Sequence, residues 1–150
     1  MSFDIFFQNV TADKNAVLPP ERAAALSRVI QSYGGPAAPD EYGYFFSTEK
    51  AGSIELFTGQ NDGAMLALRR WEPGMAAFAY DLLVATDWTM LVPDRELRFF
   101  ASREIHEAER AALADVEHRF VVLGGAEDVS RAVEAAFGDW ADYRDQVVKG

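Results

Sequence analysis

A stretch of alternating apolar residues at 42–70 is the feature that most limits how this chain can fold. Apolar side chains at every second position are typical of a strand with one buried face. Three such runs follow one another, and glycines that tolerate the positive φ of tight turns separate them. The stretch therefore predicts a three-stranded antiparallel meander at the centre of a sheet. Its inward positions are Tyr44, Phe46, Ile54, Leu56, Leu66 and Leu68.

The segments on either side of this meander show further strand and helix patterns. Strand patterns occur at residues 3–10, 89–92 and 120–123. Residues 97–101 follow the turn-forming Pro93-Asp94-Arg95, and they either complete a hairpin with 89–92 or lead into a helix. Apolar residues at helical spacing predict four helices. These cover about 20–33, 75–85, 103–114 and the segment from Gly125 to about Val147.

The resulting order of elements is β-α-βββ-α-ββ-α-β-α. Most sheet neighbours in this order are within reach of short hairpins, which favours the α+β class with a mainly antiparallel sheet and about four helices packed on one face. A chain of 150 residues is long enough for one domain with a single core. Residues 34–43 are rich in Gly and Pro and predict a surface loop, so we expect residues 1–150 to form a single domain.

The charge balance narrows the classes of partner. The chain carries 24 acidic and 14 basic residues, which gives a formal net charge of −10. Such a surface repels phosphate backbones, so we expect no nucleic-acid partner. A partner protein with a basic surface fits this charge, although many soluble bacterial proteins are simply acidic.

The sequence also indicates the cellular compartment in which we expect the protein. It contains no cysteine, which leaves no disulfide framework. The longest apolar stretch, from Met75 to Val84, contains Asp81 and is shorter than the ~18 to 20 residues that a transmembrane helix needs. The N-terminus has no basic region before its apolar residues, unlike a secretory signal. These features predict a cytoplasmic protein with no membrane association.

Searches for catalytic and cofactor motifs give no match. His106-Glu107 has the start of a zinc-protease motif, but the second histidine of that motif would stand at position 110, which is Arg110. Ser102 and His106 are four residues apart near a predicted helix start, where capping accounts for the serine. Gly124-Gly125 precedes a helix without the spacing of a phosphate-binding loop. The sequence therefore predicts no metal site and no cofactor, and it favours a protein without catalytic activity.

Paired carboxylates are the catalytic chemistry that this acidic chain leaves open, because two such groups act as acid and base across a cleft. A solvated acidic surface explains the same residues and is the interpretation we favour. The carboxylates concerned are Asp40, Glu41, Glu72, Asp81, Asp87 and Asp94.

The most distinctive local grouping is Arg69-Arg70-Trp71-Glu72, where a basic pair and an aromatic residue follow an alternating strand. Arg and Trp dominate interface hot spots because both join a large apolar contact to directed hydrogen-bond donors. The alternative is that Trp71 covers the edge of the core while the arginines pair with acids. The candidate ligand-binding or partner-binding residues are Arg69, Arg70, Trp71, Glu72, Asp87, Trp88 and Arg98.

The last helix carries Trp140 and Tyr143 beside acidic residues. Such an aromatic stripe either packs on its own domain or pairs with a second copy across a two-fold axis, the commonest symmetry of soluble oligomers. The second alternative predicts a homodimer.

The first eight residues, MSFDIFFQ, resemble the start of a group of small uncharacterised bacterial proteins. Some proteins of that group are similar to immunity proteins of contact-dependent toxin systems. The resemblance implies a small α+β protein and assigns no site residue.

Three hypotheses about function follow. The leading one is a non-catalytic protein-binding module, in its sharpest form an immunity-like inhibitor that blocks a basic toxin surface. The alternative is a small-molecule-binding domain or a small enzyme, with a pocket that joins Arg69 or Arg98 and Trp71 to acids such as Glu72 or Asp87. The third is a homodimer that acts within a larger assembly.

Overall fold

Seven strands and three helices make up the part of the chain that the computed structural model describes, which is residues 3–8, 17–58, 63–68, 71–92, 98–103 and 120–149. The strands are β1 (Phe3–Gln8), β2 (Gly43–Thr48), β3 (Gly52–Phe57), β4 (Gly63–Leu68), β5 (Thr89–Leu91), β6 (Phe99–Ala101) and β7 (Phe120–Val122). The helices are α1 (Pro20–Ser32), α2 (Pro73–Thr86) and α3 (Ala126–Lys149).

All seven strands belong to one sheet, in the order β2-β3-β4-β1-β5-β6-β7. Neighbouring strands are antiparallel, except that β6 and β7 run parallel. The N-terminal strand β1 is the middle strand, because it pairs with β4 along its whole length on one side and with β5 on the other. The two halves of the sheet are therefore joined by the first strand of the chain.

The predicted α+β class and the mostly antiparallel sheet are confirmed. The predicted position of the meander is corrected: β2, β3 and β4 form one outer half of the sheet, and β1 occupies the centre. The sequence predicts about four helices, and the described residues contain three. The fourth, predicted at 103–114, falls on residues 104–119, outside the described part. Of the two alternatives for 97–101, the strand is found at Phe99–Ala101, where Phe99 pairs with Leu91 in antiparallel register.

The ends of α1 follow directly from the local sequence. Pro20 is its first residue, a position where the missing N–H of proline costs no helical hydrogen bond. At the other end Gly34 adopts a positive φ of 86°. The N–H of Gly34 donates to the carbonyl of Gln31, and the N–H of Gly35 donates to that of Ile30. This is the Schellman arrangement, which satisfies carbonyl groups that a helix end would otherwise leave unpaired.

The core lies between one face of the sheet and the three helices. We call this face of the sheet the inner face. Helix α2 is its main cover, since Phe78, Leu82 and Leu83 are fully buried against strand residues such as Ile5 and Leu66. Burying such apolar side chains supplies most of the favourable free energy of folding, at roughly 25 cal/mol per Å² of apolar area. In the described residues, no helix is both long and apolar enough to cross a membrane.

Candidate functional site

The second face of the sheet, which we call the outer face, points away from α1, α2 and α3. Side chains alternate between the two faces of a strand, so each strand that sends one residue into the core sends the next to the outer face. In β1, for example, Ile5 and Phe7 are buried in the core, whereas the intervening Phe6 is 39% exposed. A half-solvated antiparallel sheet normally carries polar residues on its outer side. Here that side is largely apolar.

Six apolar side chains form one line across the outer face, and we call this line the outer row. Each member lies directly opposite the next in the strand register, so the row crosses six of the seven strands without a break. Directly opposite residues in a sheet have Cβ atoms about 4.5–5.5 Å apart, which places their side chains in contact range. In spatial order the outer row is Phe57, Met65, Phe6, Leu91, Phe99 and Phe120.

The outer row is open at one end and covered at the other. Phe57 and Phe6 are 37% and 39% exposed, whereas Phe99 is only 4% exposed. At the open end Phe45 of β2 joins the row, since its ring meets that of Phe57 edge to face with centroids 5.0 Å apart. At the other end Phe99 and Phe120 stack at 5.4 Å. The accessible apolar surface is therefore concentrated over β2, β3, β4 and β1.

The charged residues of the described strands are both acidic and both lie on the outer face. They are Asp4 and Glu55. Glu55 is directly opposite Phe45, and Asp4 is directly opposite Ala67. Oδ1 of Asp4 is buried, and it makes no hydrogen bond within the described part of the chain. The outer face thus combines aromatic side chains with two acidic residues, of which Glu55 lies opposite the exposed Phe45.

The structure separates the residues that the sequence analysis singled out. Arg69 and Arg70 lie outside the described residues. Glu72 and Asp87 flank α2 at its two ends, and a helix of 14 residues spans about 21 Å at 1.5 Å per residue. Trp71 and Glu72 therefore lie at one end of α2, and Asp87 and Trp88 lie at the other.

At the start of α2, Trp71 is half-buried and packs against the core. This agrees with the alternative that Trp71 covers the core edge. The side chain of Glu72 lies against Gly52, the first residue of β3. The backbone carbonyl of Glu72 accepts the N–H of Met75 in the first turn of the helix. Both residues therefore contribute to the junction between α2 and the β2–β3 turn.

At the end of α2, Asp87 adopts a left-handed conformation with φ of 61°, and its Oδ1 accepts a 2.7 Å hydrogen bond from Nε of Arg103. This ion pair is about one third exposed on both sides. The next residue, Trp88, is 1% exposed and packs near Phe7, with ring centroids 6.3 Å apart. Trp88 thus belongs to the core and has almost no surface with which to contact a partner.

Arg98 lines a groove between the inner side of β6 and β7 and the first turns of α3. The groove has a volume of about 360 Å³. The guanidinium group of Arg98 lies 5.4 Å from the ring centroid of Phe100, and its Nε is buried. Across the groove, Asp128 accepts the N–H of Gly124 with Oδ2 at 2.7 Å and a longer hydrogen bond from Arg131 with Oδ1 at 3.4 Å. Two arginines thus share one partly apolar groove.

The outer row is the feature that sequence reasoning missed. The prediction of the sheet depends on the inward positions of each strand, whereas the outer row consists of residues at the positions between them. Phe45, Phe57 and Met65 are apolar where a half-solvated strand usually has polar residues. A strand that is apolar at both phases of its alternation indicates a second buried face or an interface.

Within the described residues, no group of three or more histidine, aspartate or glutamate side chains comes together in a way that could hold a metal ion. Both histidines, His106 and His118, lie outside those residues. Comparisons with protein-family models, with curated proteins and with solved structures gave no match for this chain. The site is therefore defined by its geometry, an apolar sheet face that carries carboxylates.

Proposed function

We propose that this protein is a non-catalytic protein-binding module that contacts its partner through the outer face. The observation that carries the proposal is the unbroken outer row, with Phe6, Phe45 and Phe57 each more than one third exposed. Contiguous exposed apolar patches are uncommon on monomeric proteins and mark interaction surfaces. Aromatic residues are enriched in such surfaces because they bury a large area with few rotatable bonds.

The chemistry of the partner follows from the charges on the same face. Within the described strands, Asp4 and Glu55 are the charged residues on this face, and the whole chain carries a net charge of −10. A partner that presents an apolar patch with lysine or arginine around it is complementary in both respects. Complementary charge speeds association and selects against other partners. An immunity-like inhibitor that covers a basic toxin surface is the sharpest form of this proposal.

Affinity capture with matched variants tests the proposal. The test variant is the double substitution Phe6→Ser and Phe57→Ser, and the control is Val84→Ser on α2, whose side chain is 52% exposed on another surface. Proteins captured from the native host by each bait are identified by mass spectrometry, and the best candidate is purified for a binding titration. We expect a basic protein that binds the unmodified chain and the Val84→Ser control and that loses at least tenfold in affinity for the double variant.

Ionic strength supplies a second readout in the same titration. Binding between an acidic face and a basic partner weakens as salt shortens the screening length from about 10 Å at 0.1 M to about 3 Å at 1 M. Equal affinity of the double variant and the control would overturn the proposed surface. Affinity that is unaffected by salt would overturn the proposed chemistry of the partner.

The groove beside Arg98 supports a second candidate function, the binding of a small molecule with an apolar body and an anionic group. Its volume of about 360 Å³ lies within the usual range for ligand sites, roughly 300–1,000 Å³. Arg98 and Arg131 provide donors for a carboxylate or phosphate, and Phe100, Leu123 and Ala132 provide the apolar lining. The alternative of a small enzyme would use this same groove.

Thermal unfolding with a panel of carboxylate and phosphate metabolites tests the second candidate. A ligand that binds the native state raises the melting temperature in proportion to RT ln(1 + [L]/Kd). We expect a hit to be lost in Arg98→Met, which keeps the apolar stem of the side chain, and to be kept in Arg22→Met, which changes an exposed arginine on α1. A panel without any shift, or a hit that both variants keep, would remove the groove as a ligand site.

A further inference from the structure

We propose that two copies of this chain pair through β2, in antiparallel register, across a two-fold axis that passes Phe46. The described sheet ends on one side at β2, a strand of six residues with the sequence GYFFST. Natural edge strands are usually shortened, charged or interrupted by proline, because an open edge invites pairing with another chain. The opposite edge strand β7 has only three residues, whereas β2 has neither charge nor proline.

The hydrogen-bond pattern shows which backbone groups of β2 face outward. The N–H of Thr58 donates to the carbonyl of Tyr42 at 3.2 Å, so this pair belongs to the hydrogen-bonded type of antiparallel pair. Such pairs recur at every second residue. Tyr44, Phe46 and the residue after Ser47 therefore direct their backbone groups toward β3. Phe45 and Ser47 direct theirs toward the open edge.

The outward groups of Gly43 are already in use. Its carbonyl accepts the N–H of Asp40 at 2.9 Å, and its N–H donates to Oδ1 of Asp40 at 3.0 Å. In the described part of the chain, the outward N–H and carbonyl groups of Phe45 and Ser47 make no hydrogen bond. The open edge is therefore confined to two residues, with two donors and two acceptors.

A second copy of β2 matches this short edge. In an antiparallel arrangement with Phe46 opposite Phe46, Phe45 of each copy lies opposite Ser47 of the other. Both of these pairs are of the hydrogen-bonded type, so all four groups of each copy are satisfied. Phe46 of one copy and Phe46 of the other then form a non-hydrogen-bonded pair, the type whose side chains approach most closely. A shift of register by two residues would place Ser47 opposite the occupied Gly43 in one direction, and Phe45 opposite Glu49, beyond the end of the strand, in the other.

The charges beyond the strand ends also favour a second copy in this register. Beyond the strand ends, the turn residues Glu49 and Lys50 of one copy come near Glu41 and Tyr42 of the other, and Lys50 offsets the negative charge that Glu49 and Glu41 bring together. Lys50 and Glu41 are both exposed. The two-fold axis creates this contact of opposite charges at both ends of the pairing. The pairing uses the edge of the sheet rather than its outer face, so its test is independent of the test of the proposed function.

Light scattering after size-exclusion chromatography tests the pairing. The full chain is measured from micromolar to millimolar concentration at physiological salt, where the screening length of about 8 Å limits repulsion between chains of net charge −10. We expect the mass to approach twice 16.6 kDa at the highest concentration. Ser47→Pro removes an outward donor while leaving the β2–β3 hydrogen bonds in place, and it should stay at the single-chain mass. Ser47→Ala keeps the donor and should pair like the unmodified chain.

Two further measurements keep the test independent of how well Ser47→Pro folds. In amide hydrogen exchange of the unmodified chain, protection of Phe45 and Ser47 should rise with concentration, while Tyr44 and Phe46 stay protected throughout. Lys50→Glu, at an exposed turn position, should weaken pairing at least threefold. Three results would each overturn the proposal. The first is a single-chain mass at every concentration, and the second is a dimer formed by folded Ser47→Pro. The third is amide exchange at Phe45 and Ser47 that does not change with concentration.

Discussion

The hydroxyl group of Tyr33, just after α1, donates a 2.8 Å hydrogen bond to Oδ2 of Asp81 in α2. The same ring meets Phe78 edge to face, with centroids 5.1 Å apart. Tyr33 therefore joins the two helices that cover the inner face. Burial, and then the neighbouring carboxylate of Asp81, raise the pKa of Tyr33 well above its ordinary value of 10.0.

This raised pKa predicts a loss of stability in alkaline solution. Above pH about 10 the tyrosine ionises in the unfolded chain while it stays protonated in the folded one, so the unfolded state binds fewer protons and is favoured as the pH rises. Below that pH the contribution is fully present. Burial raises the pKa of Tyr44 as well and acts in the same direction. Tyr33→Phe should make the fall in unfolding free energy less steep.

Urea unfolding between pH 8 and about pH 11 measures this slope. Tyr42→Phe is the matched control, because Tyr42 is 62% exposed. At neutral pH, Tyr33→Phe should cost no more than about 1 kcal/mol, since the lost hydrogen bond is partly exposed to water. An alkaline slope that is the same in both variants would show that Tyr33 does not carry the effect.

Gly74 lies where α2 passes closest to the β2–β3 turn. A Cβ atom at this position would overlap the carbonyl oxygen of Lys50, a backbone atom that cannot rotate away. We therefore predict that Gly74→Ala lowers the free energy of unfolding by about 1–3 kcal/mol or more. The control is Gly138→Ala in α3, where the added Cβ meets nothing within 4 Å. It should raise stability by about 0.5–1 kcal/mol, because alanine is the better helix former. A neutral Gly74→Ala would mean that the turn shifts freely.

Short-range patterns in the sequence predict most of the elements but not their arrangement. The alternation of Ile54 and Leu56, or the Gly34-Gly35 stop of α1, depends on residues within a few positions of each other. The central place of β1 depends on pairing with β4, some 60 residues further along the chain. Periodicity contains no information about such pairing, so the alternating pattern alone predicts a central meander, whereas the structure has β1 in the middle of the sheet.

Residue type alone does not separate a candidate site from the core. Tryptophan, as at Trp71 and Trp88, is equally suited to a core and to an interface. Only burial distinguishes the two, and Trp88 is 1% exposed. The outer row, by contrast, consists of residues from six strands that become neighbours only through the sheet register. No single segment of the sequence shows it.

Two contributions of Asp87 to stability can be separated at the end of α2: its left-handed backbone conformation and its ion pair with Arg103. Its φ of 61° suits asparagine and glycine but disfavours alanine by about 1–2 kcal/mol. Asp87→Ala also removes the ion pair with Arg103, which is partly exposed and contributes at most about 1 kcal/mol. We predict that Asp87→Asn lowers the unfolding free energy clearly less than Asp87→Ala. Urea titration measures both, and equal losses would show that the ion pair, not the backbone conformation, determines the effect.

Two adjacent residues of β1 test whether the outer face is accessible. Phe7 is 2% exposed in the core, whereas Phe6 is 39% exposed in the outer row. We predict that Phe7→Ala lowers the unfolding free energy by about 3–5 kcal/mol, because it leaves a cavity in a packed interior. Phe6→Ala should cost about 1–2 kcal/mol, since it gives up only partly buried area. Chemical denaturation at neutral pH gives both values.

Binding of a fluorescent hydrophobic dye adds a readout of the surface itself. An accessible outer row should bind the dye in the folded chain, and Phe6→Ala should reduce that signal because it removes the ring between Met65 and Leu91. Val84→Ser changes an exposed apolar residue on α2 and should leave the signal unchanged. If Phe6→Ala were as destabilising as Phe7→Ala and had no effect on dye binding, the outer row would be part of a second core. An open face of the sheet, on which the proposed function depends, would then not exist.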